Sequence, residues 1–316
     1  MITRLSELAE RVASGDPRAM ARAISVVEDE ADAGAALVGE IFGRSGRAFI
    51  VGVTGAPGAG KSTLVDALIT RWRKSSRTVG VIAVDPTSPY SGGAMLGDRV
   101  RMQAHARDAG VFIRSMATRG NLGGLARATA DAALVLDAAG KDFVTIETVG
   151  VGQDEVEIVR TADVCIVVLV PGMGDDVQAL KAGIMEIADI FVMNKSDREG
   201  ADRAVAEVES LLSLGRFSEG EWRPPIVRTQ AATGVGIDDL MEAIDRFQQH
   251  SVDALETRRR GRYAAQLRSI LSQRLLSRVD SSFAAADLNH LVARISAREI
   301  DPYTAAEQVL ARIEKR

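Results

Sequence analysis

An eight-residue run, Gly55-Ala56-Pro57-Gly58-Ala59-Gly60-Lys61-Ser62, constrains this chain more than any other feature in it. It fits the pattern G-x-x-x-x-G-K-[ST], and Thr63 follows directly. Its flanks decide its meaning. The apolar stretch Phe49–Val53 before it reads as a strand, and Ser62–Trp72 after it reads as a helix. Glycines let successive backbone N–H groups converge on phosphate oxygens without Cβ clashes. The N-terminus of the following helix adds its dipole. In that setting Lys61 reaches the β- and γ-phosphates of a nucleotide, and the Ser62 hydroxyl ligates magnesium. Any fold for this chain has to place a strand, this loop and a helix in immediate succession.

The rest of the pattern agrees. Short apolar runs recur at Val79–Val84, Val111–Ile113, Phe143–Ile146, Val164–Val170, Ile190–Met193 and Ile226–Val227, separated by longer helical stretches. They are too continuous for half-exposed strands and rich in β-branched residues, so they predict a parallel sheet covered on both faces. Aromatic residues make up only 4% of the chain, so this core has to be aliphatic. The expected fold class is α/β, a P-loop NTPase with a mostly parallel sheet, over residues 46–250. Residues 1–45 read as helices, with Leu5, Leu8, Ala9 and Val12 on one stripe and Ile24, Val27 and Ala31 on the next. Gly15-Asp16-Pro17 separates the two, with Asp16 as cap. Residues 251–316 read as helices again: a long polar one over 253–278, then two shorter ones, the last capped by Asp301 before Pro302. A helical extension of this kind suits packing or dimerisation.

A second motif, Asn194-Lys195-Ser196-Asp197, follows the apolar run ending at Met193. The carboxylate of Asp197 can accept from both N1–H and the exocyclic amine of guanine. Adenine lacks that donor pair and would leave the acid unpaired. Alone, such a tetrapeptide is also a helix-capping loop. Its position at a later strand end, about 130 residues after the P-loop, ties it to the same ligand edge. The stretch Thr229-Gln230-Ala231-Ala232 after the last strand is the candidate second base-contacting loop.

A third group is acidic. Asp85 and Glu147 each end a predicted strand, and Asp98 lies in a Gly-rich stretch. Magnesium is held by one or two carboxylates plus phosphates, so these three are the candidate metal acids, although each alone is compatible with a solvated loop. Glu147 and Gly150 occupy the place of the D-x-x-G motif that senses a γ-phosphate. Loops 86–99 and 150–155 have the glycine content of switches. A third loop, Pro171-Gly172-Met173-Gly174-Asp175-Asp176, leads into Lys181.

Other features exclude function classes. The formal net charge of −4 leaves no electrostatic footprint for nucleic acid or an anionic membrane. One cysteine, Cys165, permits no internal disulfide framework and fits a reducing compartment. The three histidines show no metal spacing, and no apolar run reaches the ~18 residues of a membrane span. With Arg4, Glu7, Glu10 and Arg11 at the start, the N-terminus resembles neither a signal nor a transit peptide. A cytoplasmic protein is expected. Arg258-Arg259-Arg260 reads as a solvated face of the long helix.

With these motifs in order, the chain resembles the MeaB/MMAA family of GTPases, also known as ArgK, which belong to the SIMIBI type of P-loop NTPase. GAPGAGKS, AVDPTSPYSGGAMLGDRVRM, MATRGNLGG, ETVGVGQDE, PGMGDDVQALKAGI and NKSD look like the family's blocks in the family's order, across nearly the whole chain. The family, too, begins its γ-phosphate motif with Glu, as at Glu147. The resemblance implies GTP/GDP and Mg2+ as cofactors. It assigns Gly55 to Thr63 to phosphate binding, Asp85, Asp98 and Glu147 to the magnesium site, and Asn194, Lys195 and Asp197 to guanine. It also implies a third switch over 171–184, with Asp175 and Lys181 communicating with a partner. The implied partners are a second copy, through the C-terminal arm, and an adenosylcobalamin-dependent acyl-CoA mutase, methylmalonyl-CoA mutase first. GTP turnover would gate cofactor loading and removal, slowly alone and faster with the mutase.

The implied chemistry is phosphoryl transfer from GTP to water, resting on positioning and charge neutralisation. Lys61, Asp98 and Glu147 are its candidate catalytic residues, and Gln153 is a candidate to position the water. Two other readings stand beside it: an ATP-dependent kinase linked to basic amino-acid transport, and a GTPase delivering a metal. NKSD disfavours the first. The second would favour a Cys- or His-rich motif, which this chain lacks. Asp197→Asn is expected to erode the preference for GTP over ATP by at least about tenfold, read from competitive nucleotide binding; an unchanged preference would remove NKSD from the base site.

Overall fold

A strand alternates its side chains between two faces, so an unbroken apolar strand needs cover on both. That requirement is met in the computed structural model, which describes residues 2–29, 31–85, 103–105, 107–117, 122–148, 161–172, 187–215, 217–218, 220–282 and 285–314. Helices Ile2–Ala13 (α1), Pro17–Asp29 (α2) and Ala31–Ile41 (α3) come first. Strand Phe49–Gly55 (β1), helix Lys61–Lys74 (α4) and strands Val79–Asp85 (β2) and Val111–Ala117 (β3) follow. Then come helix Leu122–Ala138 (α5) and strands Phe143–Glu147 (β4), Val164–Leu169 (β5) and Ile190–Met193 (β6). Helix Ala201–Leu214 (α6), strand Ile226–Arg228 (β7) and helix Ile237–His250 (α7) complete the α/β part. Helices Val252–Ser282 (α8), Ala285–Ser296 (α9) and Pro302–Glu314 (α10) close the chain.

The strands form one seven-stranded sheet in the order β3-β2-β4-β1-β5-β6-β7. Every neighbouring pair is parallel. Parallel register gathers all the carboxyl ends at one edge. Val53 pairs with Glu147, Gly55 with Val168, and Leu169 with Met193. The strand order reverses beside β1, and a ligand crevice opens at such a switch point.

One face is covered by α4 and α7. Val51, Val53, Ile166 and Ile190 pack there against Leu64, Leu68, Leu240 and Phe247. Trp72 of α4 stacks on Phe143 with centroids 4.4 Å apart. The other face is divided. Helices α1, α2, α3 and α5 cover β2, β4 and β3 through Ile24, Val27, Leu37, Leu136, Ile82 and Ile146. Helix α6 covers β5 and β6 through Val208, Leu212, Val167 and Phe191. Asp16 caps α2 by accepting from the Arg18 backbone N–H at 2.8 Å. Asp301 does the same for α10 from Tyr303 and Thr304.

The chain divides into two units, residues 1–259 and 260–316. In the second, α9 packs with α10, Ala305 is buried, and Leu267, Leu271 and Leu275 of α8 are exposed.

Two of the three arginines depart from the expectation of a solvated face, while Arg260 is exposed as expected. Arg259 donates Nε and Nη2 to the two carboxylate oxygens of Asp163 at 2.9 and 2.8 Å. Arg258 donates to both oxygens of Asp189 at 2.7 and 2.9 Å. Both acids are buried, and each stands immediately before a strand, β5 or β6. Helical periodicity cannot reveal such partners, because they lie 69 and 96 residues away. Asp163 is buried while the Arg259 side chain is 32% exposed, so losing the guanidinium leaves a buried acid with fewer partners, at a cost of about 1 kcal/mol or more. Arg259→Ala is therefore expected to lower the urea unfolding midpoint clearly, and a midpoint equal to wild type would show that the pair carries no stability.

Candidate functional site

The site begins where β1 ends. Gly55 has φ +137°, and a Cβ there would lie 2.2 Å from the Val168 carbonyl oxygen of β5. Only glycine lets the two strands approach so closely. The loop then closes on itself, Ala59 N–H donating to Ala56 O at 3.1 Å. Helix α4 starts at Lys61, and Leu64 N–H donates to Gly60 O at 2.9 Å. Thus the loop and the first turn of α4 stand at the carboxyl edge of the sheet. Lys61 is buried, and its Nζ donates to Gly55 O at 2.6 Å and Ala56 O at 3.0 Å. The ammonium is folded over the loop that has to hold phosphate. Ala56 and Thr63 are half-buried, whereas Pro57 and Gly58 are exposed.

The acids come next. Glu147 ends β4 and is buried, as is Ser62 on the first turn of α4. The Ser62 hydroxyl donates to Glu147 Oε1 at 2.6 Å. A hydroxyl and a carboxylate side by side are hard oxygen donors, the chemistry magnesium takes. Among the described residues no cluster of three or more His, Cys, Asp or Glu could hold a metal. Asp85 ends β2 at the same edge. Asp98, Gly150, Gln153, Asp175 and Lys181 lie outside the described residues.

The third part is the loop after β6. Asn194 is buried and works as a strut. Its Nδ2 donates to Ala59 O of the phosphate loop at 2.8 Å. Its Oδ1 accepts from Thr229 Oγ1 at 3.1 Å and from Ala231 N–H at 3.0 Å. Three loops therefore meet on one carboxamide. Lys195 adopts φ +54°, rare for a side chain of its kind, and its Nζ donates to Gly58 O at 2.7 Å. Ser196 N–H donates to Thr229 O at 3.1 Å. Asp197 is exposed. Ala231 is buried and Ala232 exposed.

The structure thus brings together Gly55 to Thr63, Glu147, Asn194, Lys195 and Ala231. Sequence reasoning assigned Asn194 to the nucleobase and missed its hold on Ala59 and Thr229. It also missed the contact of Thr148 Oγ1 with Thr54 Oγ1 at 3.0 Å beneath the loop. No local signal marks either. Away from the site, burial, ahead of the Asp189 carboxylate, pushes the Cys165 thiol well up, so it is a core residue without nucleophilic character. Among the described residues no helix is long and apolar enough to cross a membrane.

A Gly-rich loop between a parallel strand and a helix, with its lysine, its serine and a later NKxD loop bound to it, defines a P-loop GTPase. The family model for methylmalonyl-CoA mutase-associated GTPase MeaB matches residues 20–284. The chain belongs to this MeaB family and is a GTP-hydrolysing enzyme. A protein of Pyrococcus abyssi is 50% identical over 98% of this chain and 97% of its own length. GTPase ArgK of Escherichia coli is 39% identical over 77% of this chain and 76% of its own. A crystal structure of an LAO/AO transport system kinase is 29% identical, with a TM-score of 0.75, and covers 99% of this chain and 98% of its own.

Gly60 has φ +92°, and a Cβ there would lie 2.5 Å from Asn194 Nδ2. Gly60→Ala is expected to displace the strut and weaken GDP binding at least about tenfold. Calorimetric titration with GDP checks this, and an unchanged affinity would mean that the loops tolerate separation.

Proposed function

We propose that this GTPase serves an adenosylcobalamin-dependent mutase, methylmalonyl-CoA mutase first among them, and that its GTP cycle gates loading of intact cofactor and removal of damaged cofactor. The observation that supports the GTPase part is the joint hold of Lys61 and Asn194 on one loop. The family description, which names an association with methylmalonyl-CoA mutase, supports the choice of client.

In this reading the loop amides and the Lys61 ammonium bind the β- and γ-phosphates. Lys61 exchanges its two carbonyl partners for phosphate oxygens, and its charge offsets what develops on the transferred group. Ser62 and Glu147 would hold Mg2+, with Asp85 and Asp98 as the further acids. When bound, the ion neutralises phosphate charge. Asp197 is open to solvent, where a guanine can reach it. Gly150 and Gln153 belong to the segment that senses the γ-phosphate and orients water. Asp175 and Lys181 belong to the loop facing the client. A homodimer through α8 is part of the same proposal, supported by the exposed stripe Tyr263, Leu267, Leu271 and Leu275 at four-residue spacing. The proposed location is the cytoplasm.

A second reading, an ATP-using kinase, is favoured by the likeness to the LAO/AO transport system kinase. The Asn194–Asp197 loop opposes it, because its acid suits guanine. Phosphate release from GTP and from ATP, with and without methylmalonyl-CoA mutase, separates the two. GTP turnover that rises only with the mutase is the expected result. Turnover indifferent to the mutase would overturn the client, and a preference for ATP would overturn the base assignment. Lys61→Ala is expected to lower GTP turnover at least about a hundredfold, and turnover at the wild-type rate would remove Lys61 from the chemistry.

A further inference from the structure

Below the phosphate loop, two hydroxyls on one face of the sheet join the strand that enters the loop to the strand that leaves for the 149–160 segment. Thr54 is the last residue of β1 before Gly55 and is fully buried. Thr148 follows Glu147 directly and is also buried. The backbone N–H of Thr148 donates to Val53 O at 3.1 Å, so the β1–β4 ladder continues one residue past the end of β4. The Thr148 hydroxyl donates to Thr54 Oγ1 at 3.0 Å. Thr148 is thereby held to β1 twice, by main chain and by side chain.

The neighbours of this contact belong to the reaction. Thr54 precedes Gly55, whose carbonyl accepts from Lys61 Nζ. Thr148 follows Glu147, whose carboxylate accepts from Ser62. We infer that Thr148 is a positioning residue: its hydroxyl bond to Thr54 sets the point from which the chain departs towards Gly150, in register with the phosphate loop. A valine would fill the same volume and keep the backbone bond but lose the hydroxyl. The inference therefore concerns one hydrogen bond, whose net worth in a folded protein corresponds to about fivefold in a rate. It rests on the proposal that the segment beginning at Val149-Gly150 senses the γ-phosphate.

The test uses the full chain with Mg2+ and compares GDP affinity with single-turnover GTP hydrolysis. Thr148→Val is expected to slow hydrolysis about fivefold and to leave GDP affinity within about twofold, because GDP lacks the group the segment would sense. Thr148→Ser keeps the donor and is expected to stay within about twofold of wild type in both. Thr54→Val removes the acceptor and is expected to give the same split, with no further loss in the double variant. It also serves as the probe if Thr148→Val does not fold. Equal losses in GDP affinity and hydrolysis, additive effects, or no change in hydrolysis would each overturn the inference. Gly150→Ala separates this from the reading beneath it. If that variant hydrolyses GTP normally, the γ-phosphate assignment fails. If it is slowed while Thr148→Val is not, only the hydroxyl bond fails.

Discussion

The Asn194 carboxamide is the interaction on which the site depends. Glycine is required at the tightest points of the phosphate loop, so few side chains of its own can hold its shape. It must be held from outside. Asn194 does this from the end of β6, bonding Ala59 O on one side and Thr229 and Ala231 on the other. Lys195 adds a second hold on Gly58, from a strained backbone. Buried polar groups are strong constraints when fully engaged, because the alternative is an unpaired group in a low-dielectric interior. The P-loop and the loops after β6 and β7 therefore share one support. A displacement of either is felt by the other.

The parallel sheet makes this meeting possible. β1 lies between β4 and β5, so its carboxyl end is flanked by Glu147 on one side and Val168 on the other. The glycine at position 55 admits the β5 carbonyl at a distance no side chain would allow. At the opposite end of the same strands, Asp163 and Asp189 stand before β5 and β6 and accept from Arg259 and Arg258. Asp163 also accepts from the Ile50 backbone N–H of β1 at 3.0 Å. Strands β1, β5 and β6 are thus pinned by charge at the amino end and by hydrogen bonds at the carboxyl end. Their middles are aliphatic. A functional edge at one end of a rigid core is what a nucleotide site needs, because small misplacements of phosphate-binding groups are costly.

Much of this was legible in the residue order. The apolar runs are continuous because both faces of the sheet are covered, and a continuous run bounded by turns is a signal that needs no tertiary knowledge. Gly55 to Ser62 between a strand and a helix has few other uses, so the phosphate site was legible too. Asp16 and Asp301 were readable as caps because their partners are two or three residues away. Arg258 and Arg259 of α8 were misread for the opposite reason. Their acids are far off in sequence, and a helix seen alone shows only a polar face.

The sequence by itself determined the chemistry present at the site: a lysine and a serine after glycines, an acid at the end of β4, and an NKxD loop after β6. These are local patterns, and local patterns report which groups the chain carries and on which element. Only the tertiary structure decided what those groups do to one another. It turned Asn194 from a base-loop residue into the strut of three loops. It seated the Ser62 hydroxyl on Glu147 across 85 residues of chain and paired Thr148 with Thr54 across 94. Hydrogen bonds act over about 3 Å. Whether two polar groups come that close is settled by strand order and register, which no stretch of sequence around either residue contains.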